Sequence, residues 1–304
     1  MMSNKLLINE VGPRDGLQNQ PTLVSAEDKL KLIRLLQKAG LKSLEVGSFV
    51  SPKAVPQMAT TEEVVKSLGP STLGLSVLIP NMRGFERAKE VGVSEVAVVL
   101  SATETMNVRN INMSLEKTVE VCEEAVCAAK ASGIRVKAYV AVAFECPFEG
   151  PTSRDVLYRL TQQMFDAGAD EVVIADTIGA AAPMQVREVM TDLVASHGAD
   201  RISGHFHDTR GMALANCFAS IEAGIRRFDS SIGGMGGCPF TPNAAGNLAT
   251  EDLALMASQS GFDTGIKFPE LIEAIDFASF VTQRELGGRS AQWLKRRYQV
   301  KAAA

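Results

Sequence analysis

The chain has 304 residues, 46% of them hydrophobic and 22% charged, and a net charge of −4 at neutral pH. That balance excludes a disordered chain and a strongly basic nucleic-acid binder, and the length admits one large α/β domain or two smaller ones. The N-terminus has neither a basic region followed by an apolar core nor a stretch long enough to span a bilayer, so a cytoplasmic protein without a membrane partner is expected.

Taken in chain order, β-rich runs alternate with amphipathic helical runs about eight times. Strands are predicted over 6–12, 43–49, 73–79, 95–101, 135–144, 171–177, 201–208 and 227–233. Between them lie capped helical units. Ser25 is the N-cap of a helix that carries Asp28 at N3 and stops at Gly40, and two further helices close at Gly133 and Gly168. Eight such units predict a TIM barrel, for which roughly 250 residues suffice. The barrel is placed over about 5–261 and a C-terminal helical extension over about 262–304, together one catalytic domain. The runner-up is a doubly wound open sheet, but no GxGxxG opens a helix after the first strand.

The dense basic run Leu294 to Lys301 reads as a solvated terminus, which leaves a small molecule as the expected partner. The five cysteines are an odd count. Cys122 and Cys127 fall on different faces of one predicted helix, so neither a disulfide framework nor a CxxC site is expected.

In a TIM barrel, catalytic groups sit at the C-terminal ends of the strands. Those positions hold Arg14 and Asp15 after the first strand, Glu45 on the second, Asp176 on the sixth, and His205 and His207 on the seventh. Past the eighth lies "GGMGGCPFTPNAAGN", which packs five glycines around Cys238. His205 and His207 are two apart on a strand, so both imidazoles face one side, with backbones about 6.6 Å apart. Two such imidazoles share a metal if a carboxylate completes the set, or else they are hydrogen-bonded core groups. Asp15 is the natural third ligand and the amide oxygen of Asn247 a fourth. A mostly hard set of this kind favours Mg²⁺ or Mn²⁺ over structural zinc.

Together the segments "INEVGPRDGLQNQ" (8–20), "SFVSPKAVPQMA" (48–59), "NIN" (110–112), "GHFHDTRGMALAN" (204–216) and "GGMGGCPFTPNAAGNLATEDL" (233–253) resemble the hydroxymethylglutaryl-CoA lyase family of HMGL-like metal-dependent TIM barrels. The resemblance runs from about residue 5 to 285. It implies divalent-metal-dependent retro-aldol cleavage of 3-hydroxy-3-methylglutaryl-CoA to acetyl-CoA and acetoacetate, a place in leucine degradation, and a homodimer or higher homo-oligomer. By the same resemblance Asp15, His205, His207 and Asn247 hold the cation and Arg14 stabilises the enolate. Glu45 supports the site, Cys238 is a mobile acid/base and Asp176 is an acidic group near the metal. Gln18, Asn110 and Tyr139 line the acyl pocket beside Arg14.

Three positions depart from the family pattern, which reads Glu-x-Thr-Ser-Phe, Tyr-x-Ser and Ser-Leu-Gly-Asp-Thr on strands two, five and six. Gly47, Ala141 and Val173 stand where hydroxyl residues are expected, in "EVGSF", "YVA" and "VIADT". A pocket short of hydroxyls holds a polar acyl chain less well. Cleavage of citramalyl-CoA to acetyl-CoA and pyruvate is therefore the enzymatic alternative. A catalytically silent metal or acyl-CoA binding barrel is the non-enzymatic one, although such a protein is expected to have lost one of Arg14, Asp15, His205, His207 or Cys238.

Overall fold

Each predicted β/α unit has its local cause in the computed structural model, which describes residues 4–69, 73–237 and 246–302. The strands are β1 (Leu7–Glu10), β2 (Ser43–Ser48), β3 (Gly74–Leu78), β4 (Glu95–Ser101), β5 (Arg135–Ala141), β6 (Glu171–Asp176), β7 (Ile202–Phe206) and β8 (Arg227–Ser230). Each pairs in parallel with its sequence neighbours, and β1 closes on β8 to complete a barrel. A parallel sheet needs a crossover between strands. The helices α1 (Ala26–Lys38), α2 (Thr61–Leu68), α3 (Met82–Glu90), α4 (Glu104–Ile111), α5 (Leu115–Ala131), α6 (Arg154–Ala167), α7 (Pro183–His197), α8 (Ala213–Glu222) and α9 (Thr250–Gln259) supply those crossovers and close the last unit. Helices α10 (Phe268–Thr282) and α11 (Ala291–Ala302) follow, with α10 packed on α1.

The caps act as the sequence implies. Ser25 Oγ accepts from the Asp28 N–H at 3.1 Å, satisfying one of the N–H groups that the first turn of α1 leaves without an intrahelical partner. Among the described residues no helix is long and apolar enough to cross a membrane.

Several strands are shorter than predicted, each for a local reason. The first stops at Glu10 because residues Gly12–Gly16 wind into a single π-helical turn, closed by the Gly16 N–H on the Val11 carbonyl at 3.1 Å. The fifth stops at Ala141 because Val142 has a φ of +50°, which ends the extended run. Thr177 Oγ1 accepts the Val142 N–H at 2.8 Å and the Val142 carbonyl accepts from Thr152 Oγ1 at 2.6 Å, so three loop segments hold the bend. The eighth stops at Ser230, and Ile232–Gly234 turn as a 3-10 helix.

Alternation along the strands sorts side chains between the helix layer and the lumen. Val96, Val98, Leu100, Val136, Ala138, Val140, Val172 and Ile174 face outward into the main hydrophobic core. The intervening positions fill the lumen, and they carry the chemistry.

Candidate active site

The π-helical turn after β1 lifts Arg14 and Asp15 to the mouth of the barrel. Arg14 Nε donates to Glu45 Oε2 on β2 at 2.6 Å, and its Nη1 donates to Asp15 Oδ1 at 2.7 Å. Gln18 Nε2 donates to the same Asp15 oxygen at 2.7 Å. Glu45 is fully buried, and burial pushes its carboxyl up while the Arg14 charge opposes that rise. A guanidinium stays charged at any ordinary pH, so Arg14 brings a fixed positive charge to the mouth. Burial would also raise Asp15, but Arg14, both histidines and Asn247 together hold it below its usual range.

Opposite Asp15, β7 presents His205, and His207 stands one step beyond the strand's end. The ligand atoms of Asp15, His205 and His207 lie within 4.8 Å of one another. Asn247 reaches the same place because its backbone pairs with His207 and its Nδ2 donates to Asp15 Oδ2 at 2.7 Å and to the Met235 carbonyl at 3.1 Å. With both amide protons on acceptors, Oδ1 is left buried and without a hydrogen-bond partner. Gly236 makes that approach feasible. Its φ is +124°, and a Cβ there would lie 2.5 Å from Asn247 Nδ2.

Sequence reasoning missed Asp229 on β8, the register partner of His205 on β7. Its Oδ2 lies 3.0 Å from His205 Nδ1 and accepts from Tyr139 Oη at 2.8 Å. Burial alone would depress His205, but the Asp229 contact and the Asp15 charge outweigh it and raise the imidazole. Alternation in "RFDSS" gives Asp229 a lumen-facing step, but its partners come from β5 and β7 and are not legible in that strand.

The remaining expectations scatter. Asp176 has the outward alternation of Val172 and Ile174, and its two oxygens accept from the Ala180 N–H at 2.8 Å and the Ala181 N–H at 3.0 Å, so it braces the loop after β6. Asp176 is not among the three residues whose ligand atoms converge, although it is near enough to His205 for the imidazole charge to bear on its carboxyl. Asn110 is exposed on α4. Tyr139 is buried, with its hydroxyl on Asp229 and its ring 6.1 Å from that of His205, edge to face, so it underlies the cluster rather than opening onto the mouth. Cys238 lies outside the described residues.

The departures from the family pattern divide as well. A register shift between Glu45 and Gly47 turns Gly47 to α2, where a Cβ would lie 2.6 Å from Thr61 Oγ1. Gly47 is thus not a pocket position, and the hydroxyl beside it belongs to Thr61, which accepts the Ser48 N–H at 3.1 Å. Val173 packs in the lumen with Ala97 and Tyr139, flanked by half-buried Leu78 and Val99. Ala141 follows Tyr139 on the same face of β5 and is 8% exposed at the mouth.

Residues 5–278 match the model of the HMGL-like family. The hydroxymethylglutaryl-CoA lyase of Bacillus subtilis is 39% identical over 292 residues, which is 96% of this chain and 98% of that protein. A crystal structure of the Bacillus subtilis enzyme superposes with a TM-score of 0.93 at 39% identity, covering 97% of this chain and 99% of that one. An HMG-CoA lyase from Acinetobacter baumannii, solved in complex with coenzyme A and 3-methylmalate, superposes with a TM-score of 0.92 at 36% identity over 96% of both chains.

Proposed function

The chain belongs to the HMGL-like family and is a carbon–carbon lyase, and on that premise we propose that it cleaves 3-hydroxy-3-methylglutaryl-CoA to acetyl-CoA and acetoacetate with a divalent cation, Mg²⁺ or Mn²⁺. The observation that carries the reading is the convergence of three ligand atoms, from Asp15, His205 and His207, within 4.8 Å beside a fixed guanidinium.

The donor set fits a hard divalent cation. Asp15, His205 and His207 would hold it, and the unpartnered Asn247 Oδ1 is a buried acceptor of the kind that a cation satisfies. When bound, the cation supplies Lewis acidity toward substrate oxygens. In the reaction the tertiary hydroxyl loses its proton, the C2–C3 bond breaks, and its electron pair moves into the thioester as an enolate that is then protonated at C2. Arg14 is pinned by Glu45 and Asp15 before substrate arrives, so its charge meets the developing enolate oxygen without reorganisation. Gln18 steadies Asp15 from the other side. Cys238 is the proposed acid/base.

The acyl group would sit at the mouth, above the filled lumen. Its charged end and reacting oxygens lie over the polar strands, and the alkyl branch at C3 faces the side of Ala141. The test is a steady-state comparison of purified protein on hydroxymethylglutaryl-CoA and citramalyl-CoA, reading acetoacetate against pyruvate. Efficient release of acetoacetate is expected. Pyruvate release with a silent hydroxymethylglutaryl-CoA reaction would replace the substrate while keeping the chemistry.

A further inference from the structure

Asp229 is held directly from three strands and indirectly from a fourth. On β8 it is 4% exposed and stands in register with His205 on β7. Its Oδ1 accepts from Asn9 Nδ2 of β1 at 2.8 Å, and Asn9 Oδ1 in turn accepts from Ser43 Oγ of β2 at 2.7 Å. Its Oδ2 takes both the Tyr139 hydroxyl of β5 at 2.8 Å and His205 Nδ1 at 3.0 Å. An ionised carboxylate can only accept, so the proton in the last contact belongs to His205 Nδ1. The lone pair of the neutral imidazole then sits on Nε2, the nitrogen left for Asp15 and His207 to share a cation with. The edge-to-face Tyr139 ring, 6.1 Å away, limits rotation of the imidazole.

We infer that Asp229 is the positioning residue of the cation site: seated by Asn9 and Tyr139, it fixes the tautomer and orientation of His205 and so sets cation affinity. The inference rests on the cation reading above. A second sphere of this kind changes affinity typically by about 10- to 100-fold. Asp229→Asn keeps the shape but can donate to His205 Nδ1, which favours the Nε2–H tautomer that cannot ligate.

The test is a titration of free Mn²⁺ by electron paramagnetic resonance on wild type, Asp229→Asn, Asp229→Glu and Tyr139→Phe. Expected are an affinity loss of about 10- to 100-fold for Asp229→Asn, partial recovery in Asp229→Glu, and a smaller loss in Tyr139→Phe, which removes one support but leaves the His205 contact. Mn²⁺ bound by folded Asp229→Asn as tightly as by wild type overturns the inference. If wild type itself binds no Mn²⁺, the cation reading falls instead. Should Asp229→Asn not fold, ¹⁵N-histidine spectra of metal-free wild type at alkaline pH decide the matter, since the chain has only 3 histidines. A His205 protonated on Nδ1 supports the inference, and one protonated on Nε2 overturns it.

Discussion

The lumen has two unlike halves. Strands β1, β2, β7 and β8 present Asp15, Arg14, Glu45, His205, His207 and Asp229, linked side chain to side chain. Across from them, β3 to β6 contribute Leu78, Ala97, Val99 and Val173, and Tyr139 joins the halves with its ring on one side and its hydroxyl on the other. Both halves obey the same alternation, yet at the level of the cluster one concentrates charge and the other is apolar, its own charges Glu95, Lys137 and Glu171 standing at the start of the same strands, where Lys137 pairs with Glu95 at 2.9 Å. A barrel thereby places a cluster of charged groups beside an apolar wall at one mouth.

The largest effect is expected from emptying the charged half. Asp15→Ala or His205→Ala should lose cation binding and turnover together, by about a thousandfold or more in rate, because a Lewis acid is worth several kcal/mol of transition-state stabilisation. Calorimetric titration with Mn²⁺ and single-turnover cleavage check both. Arg14→Met should keep the cation and lower kcat by about 10²- to 10³-fold with a far smaller change in KM, since its charge matters chiefly to the enolate. An unchanged kcat would remove Arg14 from that role.

The charged half is also backed from outside the lumen. Glu10 accepts from the Gly12 and Ile232 N–H groups, each at 2.8 Å, and from Thr250 Oγ1 at 2.6 Å, while burial pushes its carboxyl up to about 7. The folded state thus holds a proton that the unfolded chain has already lost. This contribution to stability is full below the ordinary carboxylate value of 4.5 and is lost as pH rises through about 7. The difference corresponds to about 3 kcal/mol at most. Glu10→Gln keeps the acceptor for both N–H groups, so its melting temperature should fall less than that of wild type between pH 5 and 8. Thermal melts across that range decide it, and parallel curves would contradict the assignment.

The smallest effect belongs to the apolar half. Ala141→Ser adds one hydroxyl at the mouth and should change kcat/KM for hydroxymethylglutaryl-CoA by less than about tenfold, the worth of one hydrogen bond. A larger gain in steady-state assays would show that this wall limits the natural substrate. Gly47→Thr, by contrast, should cost stability through its clash with Thr61 and leave the acyl pocket as it is.

What could be read in advance follows from periodicity. Eight repeats of strand and capped helix imply the barrel, and the i, i+2 spacing of His205 and His207 implies a shared face. Asp229 could not be recognised from "RFDSS", because its role depends on register with β7 and on a tyrosine from β5 across the lumen. Gly47 misled for a related reason, since a shift in register after Glu45 turns it toward α2. Alternation is legible in one strand, whereas bulges and cross-barrel partners are properties of several.

The most direct test of the central claim is cleavage of hydroxymethylglutaryl-CoA by protein first stripped with a chelator and then given Mg²⁺ or Mn²⁺. Loss of acetoacetate release on stripping and its return with the cation is the predicted result. Full turnover by protein shown to be metal-free would contradict the assignment of Asp15, His205 and His207.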